Sequence, residues 1–178
     1  MAEKNFLQRN EKLIIWAGMG AVVYFGLIKP VLIKFGVARS KDEKKADTKV
    51  ESVYSLPDNQ NPFSPSYYEP MLQYIFKTNP GIEVKLKKDD YIRDAAISIH
   101  KAFGYYTDDE DVVFGVFRDL PSQIVVGQVA KKFYDIYGKD LWTYLDEGDG
   151  IWWWSGLGHE ELARVKDIVF SKPKFTKV

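Results

Sequence analysis

The chain has 178 residues, enough for one core-bearing domain with additional segments, and its 25 Lys and Arg residues balance its 25 Asp and Glu residues. Zero net charge disfavours a globally basic nucleic-acid-binding protein, so no nucleic-acid partner is predicted. With no Cys and 2 His, the sequence excludes disulfides, thiolate metal sites and Cys nucleophiles, and it leaves few residues for a histidine cluster.

The first predicted element is an apolar segment, residues 13–33. Residues 13–28 carry no charge, Lys29 interrupts the run, and residues 30–33 continue it. A membrane-spanning helix needs about 20 apolar residues, a length that is reached if Lys29 extends its ammonium group toward the interface. We therefore predict an N-terminal tail and transmembrane helix over residues 1–37, with residues 13–33 in contact with the lipid bilayer.

Two other interpretations of this segment stay open. Lys4, Arg9 and Lys12 would suit the basic region of a secretory signal peptide, and the same apolar run would suit a helix buried in a soluble core or a protein assembly.

If the run is a membrane helix, the charges on its two sides predict its orientation. The basic residues that follow the run outnumber those that precede it. The positive-inside tendency then predicts a single-pass protein with its C-terminal part in the cytoplasm.

Residues 38–70 are predicted to connect this segment to a folded domain. Charges of both signs alternate over residues 39–51, which predicts a solvated tether or a frayed helix. The following stretch contains Pro57, Pro62, Pro65 and Pro70, which favour extended or turn structure. Its aromatic residues are expected to dock on the domain as a strap or to form a partner-binding peptide: Phe63, Tyr67 and Tyr68.

Residues 71–178 are predicted to form an all-α domain. A short helix over residues 71–77 precedes a helix from Asp89 or Asp90 to Gly104, whose apolar residues recur at i, i+3, i+4 and i+7. Its predicted inward residues are Ile92, Ala95, Ala96, Ile99 and Phe103. His100 lies at the edge of this apolar face and is predicted to be a surface or boundary residue.

Four more helices and a tail complete the predicted domain, and the first of these helices is predicted to begin with a capping box. Thr107 and Glu110 would begin a helix that ends before Pro121, and Ser122 would begin the next, which ends at Gly138. The predicted inward residues of these two helices are Val113, Val116, Phe117, Leu120, Val126, Val129, Ala130, Phe133, Ile136 and Tyr137. Asp140 would begin a short helix, residues 159–170 a last one, and residues 171–178 a basic, flexible tail.

These helices and their loops resemble a single annexin repeat over residues 89–170. Three stretches carry the resemblance: residues 101–104 (KAFG), residues 108–111 (DDED) and residues 137–141 (YGKDL). The resemblance implies a compact five-helix bundle. It also raises an alternative function, calcium-dependent lipid binding through the loop at residues 104–108 and a later acid, Asp146 or Glu147. The second glycine of the annexin loop is missing here, so we assign no metal ligand.

The layout of the whole chain resembles small proteins of phages that infect Bacteroidetes, some of them virion-associated. Residues 152–154 are three consecutive Trp, and at least one of them is expected to be exposed, at an interface or stacked on the aromatic strap. The stretch would suit a membrane-interface loop or a helix corner that plugs one end of the domain. We assign no catalytic, cofactor-binding or metal residue. The sequence predicts a non-enzymatic, membrane-anchored structural or interaction protein with protein partners, a phage virion or envelope component.

Overall fold

The computed structural model describes residues 40–104, 107–148 and 156–178. The chain divides into two compact units, Met1–Lys44 and Lys45–Val178, and nearly all of the described residues belong to the second. The predicted membrane segment, residues 13–33, lies outside the described residues. Within the described part of the chain, no helix has both the length and the apolar character that a bilayer crossing requires.

The described residues form seven α-helices, one 3-10 helix and one pair of very short strands. In chain order they are α1 (Lys41–Tyr54), the 3-10 helix Asp58–Gln60, α2 (Tyr68–Thr78), α3 (Asp89–Ala102), β1 (Phe103–Gly104), β2 (Thr107–Asp108), α4 (Glu110–Asp119), α5 (Gln123–Tyr137), α6 (Leu141–Glu147) and α7 (His159–Phe170). The strands β1 and β2 are antiparallel. The five helices predicted between residues 89 and 170 correspond to α3–α7, which confirms a helical bundle in this part of the chain.

The segment predicted as a tether, residues 39–51, is mostly the helix α1. Ser40 and Glu43 form a capping box: the Glu43 N–H donates to Ser40 Oγ at 3.1 Å, and the Ser40 N–H donates to Glu43 Oε2 at 2.5 Å. The buried residues of α1 recur at helical spacing: Ala46, Val50 and Val53. The prediction of a solvated tether is therefore wrong, because three small apolar residues among many charges are enough to give the helix a buried face.

The aromatic strap docks on the domain, as predicted. Phe63 and Tyr67 are buried, and the Phe63 ring centroid lies 4.6 Å from that of Trp142 and 5.8 Å from that of Phe117. The Phe63 N–H donates to Asn61 Oδ1 at 3.1 Å, which holds the turn before the strap. Buried aromatic rings of this size contribute strongly to a core, so the strap belongs to the compact unit.

The core forms where α3 packs against α4 and α5, α7 against α4, and α2 against α5. Most of the predicted inward residues are buried, but three are not. Val116 and Tyr137 are only partly buried, and Ile136 is 43% exposed. In α4, Phe114 and Val116 lie on opposite edges of the apolar face, and the edge with the larger Phe114 ring is turned toward the core.

The helix predicted to begin at Thr107 begins later in the chain. Thr107 lies in β2, and Asp109 is the N-cap of α4, with its Oδ1 accepting from the Val112 N–H at 3.2 Å. The Asp109 N–H itself donates to the Ala102 carbonyl at 3.1 Å. The short hairpin therefore uses the residues that would otherwise start the helix, and a different acidic residue caps it.

The helix ends predicted at Gly138 and Asp140 agree with the structure, whereas α3 ends at Ala102 rather than Gly104 and α2 begins at Tyr68 rather than residue 71. Gly138 ends α5 in the left-handed region, with φ of 70°, and Asp140 caps α6, with its Oδ1 accepting from the Thr143 N–H at 3.0 Å. Ser122 is the N-cap residue of α5, but its buried hydroxyl makes no hydrogen bond within the described part of the chain.

The C-terminal tail is ordered against the domain rather than flexible. The Lys85 N–H donates to the Thr176 carbonyl at 2.8 Å, and the Val178 N–H donates to the Glu83 carbonyl at 3.1 Å, around an antiparallel bridge between residues 84 and 177. Farther along, the Gln123 N–H donates to the Pro173 carbonyl at 3.0 Å. The prediction of a flexible tail is wrong because backbone hydrogen bonds, which its basic composition does not reveal, fix it in place.

Candidate functional site

A group of polar side chains joins α1 to α6 and α7 around His159. His159 is the first residue of α7, and its Nδ1 is in direct contact with Asp47 Oδ1 on α1. On the other side of the ring, Nε2 lies 4.0 Å from Asp146 Oδ1, near the end of α6. The imidazole therefore lies between two carboxylates that belong to two different helices.

The second oxygen of Asp146 continues this arrangement back to α1. The Tyr54 hydroxyl donates to Asp146 Oδ2 at 2.6 Å. Burial, then the hydrogen bond and negative charge of Asp146, raise the pKa of the Tyr54 hydroxyl well above its usual range. Tyr54 therefore stays protonated at neutral pH and donates a hydrogen bond to Asp146.

Two further contacts fix α1 along α7. Lys49 Nζ lies 2.5 Å from Asp167 Oδ2, and Lys166 Nζ donates to Ser52 Oγ at 2.5 Å. We call the whole set the α1 clamp: Asp47, Lys49, Ser52, Tyr54, Asp146, His159, Lys166 and Asp167. Each exposed ion pair contributes about 0–1 kcal/mol, so the clamp fixes the position of α1 more than it adds to the free energy of unfolding.

The α1 clamp adjoins the residues that flank the tryptophan-containing stretch. The Leu157 N–H donates to the Leu145 carbonyl at 2.7 Å, and Gly156 lies against the Asp146 carbonyl. Residues 145–146 and 156–157 are therefore neighbours. The predicted interface residues 152–154 belong to this stretch and lie outside the described residues.

One of the acids predicted for a calcium site has another contact in the structure. The Asp146 carboxylate accepts from the Tyr54 hydroxyl and belongs to the α1 clamp. Across residues 40–104, 107–148 and 156–178, no three Asp, Glu or His side chains are grouped so as to hold a metal ion. The calcium-binding alternative stays a prediction, because part of its loop, residues 105–106, lies outside the described residues.

His100 is half-buried, as expected of a boundary residue. Its ring stacks on Tyr137 at a centroid distance of 3.9 Å and on Tyr144 at 5.4 Å, with both pairs close to parallel. The Tyr144 hydroxyl donates to the His100 carbonyl at 3.1 Å. His100 thus packs within an aromatic group between α3, α5 and α6.

Sequence reasoning did not find the α1 clamp. Its members come from three separate helices, and no spacing rule connects Asp47 with His159. One signal was available: the Ser40 and Glu43 spacing of a capping box predicts a helix in which Asp47 and Tyr54 lie on defined faces.

Comparison with protein-family models, with curated proteins and with solved structures finds no match for this chain.

Proposed function

We propose that this chain is a non-enzymatic, membrane-anchored interaction protein. Residues 13–33 are its anchor, and Lys45–Val178 is a helical module that binds a protein partner. The observation that carries the proposal is the α1 clamp, because it fixes the helix that follows the apolar segment to residues on either side of the tryptophan-containing stretch.

Lys45 follows Ile33 by 12 positions, so the proposed anchor and module are joined by a short stretch of chain. The partners of the module are then membrane-associated proteins or proteins that approach the membrane.

The contact residues of this module are proposed to include Trp152, Trp153 and Trp154. Tryptophan combines a large apolar ring with one N–H donor, and it is enriched both in protein interfaces and at the membrane–water boundary. The hydrogen bond between the Leu157 N–H and the Leu145 carbonyl supports this assignment, because it holds the residues that flank the tryptophans close together. A segment whose flanking residues are already neighbours loses less conformational entropy when it binds.

The resemblance in layout to small phage proteins extends the proposal to a virion or envelope component. The partner would then be another structural protein of the particle. Co-purification of the tagged full chain with particle proteins supports this extension, and a chain that stays with host membranes throughout infection contradicts it.

Carbonate extraction of the expressed full chain tests the anchor. The unchanged chain and a Glu3→Arg control are expected to stay in the membrane pellet, whereas Val22→Arg places a charge within the apolar run and is expected to release the chain. Full release of the unchanged chain into the soluble fraction rules out the anchor.

Orientation is tested with single cysteines, since the natural chain has none. Ser171→Cys is expected to react with a membrane-impermeant maleimide only after lysis, as a cytoplasmic module requires. Labelling in intact cells reverses the predicted orientation.

Calorimetry of the full chain with Ca²⁺ and anionic vesicles tests the alternative function, calcium-dependent lipid binding. That alternative requires lipid binding to disappear when a chelator is added.

A further inference from the structure

A cleft lined by charges of both signs lies between α2, α3 and α5. Its volume is about 340 Å³, enough for a small polar ligand. We call it the charged cleft, after its polar lining: Lys87, Asp89, Gln128, Lys131, Lys132 and Asp135. Tyr68 and the buried Ile92 complete its surface.

The walls of the charged cleft are fixed by hydrogen bonds to the backbone. Gln128 Oε1 accepts from the Lys87 N–H at 3.3 Å, and Gln128 Nε2 donates to the Lys87 carbonyl at 3.5 Å. These contacts hold the segment before α3 against α5. Burial raises the pKa of the Tyr68 hydroxyl, so it remains a hydrogen-bond donor at neutral pH.

The lysines of the charged cleft differ in how fully they are paired. Lys132 Nζ lies 2.6 Å from Asp89 Oδ1, within hydrogen-bonding distance. Lys131 Nζ lies 3.7 Å from Glu69 Oε1 and 3.9 Å from Asp135 Oδ2, both longer than a hydrogen bond. The ammonium of Lys131 therefore attracts two carboxylates without a hydrogen bond to either, and it has donors to offer a ligand.

Lys87 adds a third ammonium group. Its Nζ lies 4.5 Å from the centre of the Tyr91 ring, which holds the charge at the rim of the charged cleft. Three ammonium groups and two carboxylates thus line the cleft. The lining has an excess of one positive charge, and it also has acids that can receive a cation.

We propose that the charged cleft binds a small ligand that carries both a phosphate ester and a primary amine, the chemistry of phosphoethanolamine. The phosphate contacts Lys131, Lys87 and the Tyr68 hydroxyl, and the amine contacts Asp135. A ligand that carries only negative charge would attract the Lys131 ammonium away from Asp135 and leave that carboxylate without a counter-ion. A ligand that carries both charges gives Lys131 a phosphate partner and Asp135 an amine partner.

Binding is tested on the full chain in maltoside micelles, whose headgroup carries no charge. O-phosphoethanolamine is expected to give saturable binding in calorimetry, and inorganic phosphate or ethanolamine alone to bind about 10-fold more weakly or less. Equal affinity for inorganic phosphate overturns the proposal. So does the absence of saturation up to about 10 mM ligand.

Variants separate the two contacts. Lys131→Gln and Asp135→Asn are each expected to weaken O-phosphoethanolamine binding by about 10-fold, and Lys101→Gln, an exposed lysine outside the cleft, to leave it unchanged. Tighter binding by Asp135→Asn would identify an anion site and overturn the amine contact. Unchanged thermal unfolding of each variant shows that the loss lies in binding.

The same phosphate ester and amine occur in a free metabolite and in a lipid headgroup. The full chain in nanodiscs of phosphatidylcholine, with and without about one-fifth phosphatidylethanolamine, distinguishes these sources. A shift of the Gln128 side-chain amide resonance with phosphatidylethanolamine assigns the lipid. A shift only with added O-phosphoethanolamine assigns the free compound, and no shift with either contradicts the proposal.

Discussion

Gly156 lies so close to the carbonyl group of Asp146 that a Cβ atom at residue 156 would overlap its oxygen and carbon. Because the obstacle is backbone, no change of rotamer relieves it. We expect Gly156→Ala to lower the free energy of unfolding by about 2–4 kcal/mol. Part of this loss would come from the hydrogen bond between the Leu157 N–H and the Leu145 carbonyl, which the substitution would break. Urea denaturation of the variant measures this loss.

Gly115 provides the matched control for that substitution. It lies within α4, and a Cβ there would meet nothing within 4 Å. Ala has the higher helix propensity, so Gly115→Ala is expected to raise the free energy of unfolding by about 0.5–1 kcal/mol. Similar effects of the two substitutions would contradict the close approach at residue 156.

Gly127 allows α5 to approach the strap. A Cβ at this residue would lie 2.7 Å from Cδ1 of the buried Tyr67 ring. Gly127→Ala is therefore expected to lower the free energy of unfolding by about 1–3 kcal/mol. Adding Tyr67→Leu should recover part of this loss, since the smaller side chain frees the space, and a double-mutant cycle by urea denaturation measures the coupling. Strictly additive losses would contradict the contact.

Titration of the Tyr67 hydroxyl is expected to lower the stability of the protein at alkaline pH. Burial raises the pKa of this hydroxyl from 10.0 to about 12, so the folded state favours the neutral form. The resulting stabilisation is complete below pH 10 and is lost as the pH rises from 10 through 12. The loss amounts to about 2–3 kcal/mol. Thermal unfolding over this pH range measures it.

Tyr67→Phe removes this titration and is the natural comparison. The Tyr67 hydroxyl is buried without a hydrogen-bond partner in the described part of the chain, so the variant should match or slightly exceed the stability of the natural protein at pH 7. Above pH 10, the stability of the variant relative to the natural protein should increase, because only the natural protein loses stability as Tyr67 ionises. Parallel pH curves for the two proteins would exclude Tyr67 as the titrating group.

Within the α1 clamp, Tyr54 and Asp146 are expected to be energetically coupled. Tyr54→Phe and Asp146→Asn should show a coupling energy of about 0.5–1 kcal/mol in a double-mutant cycle, at the lower end for a charged hydrogen bond because Tyr54 is 50% exposed. Tyr74→Phe, at a tyrosine that is 58% exposed, is the control and should show no coupling to Asp146. Chemical denaturation gives all the required values.

Local rules predict much of this fold. Gly138 adopts the left-handed conformation that ends a helix, Asp140 caps the next helix, and α7 spans the residues that its periodicity predicts. These features depend on residues within one or two turns of each other. The docking of Phe63 was predictable for a similar reason, since a large apolar ring between prolines is costly to expose.

Long-range contacts and weak amphipathic signals explain the errors. In α1, charged residues outnumber the buried Ala46, Val50 and Val53, and only packing against the rest of the compact unit makes the helix favourable. The contact of His159 with Asp47 and the cleft that contains Lys87 and Lys131 depend on which helices become neighbours. Sequence spacing carries no information about such pairs.

The docked tail has a consequence for synthesis of the protein. Residues 173–178 supply the hydrogen-bond partners of Gln123 at the start of α5 and of the segment around Lys85, which the ribosome makes much earlier. These backbone groups must remain solvated until the tail emerges. Contacts so distant in sequence slow the search for the native state, so the helical module reaches its final form only after translation has passed residue 173.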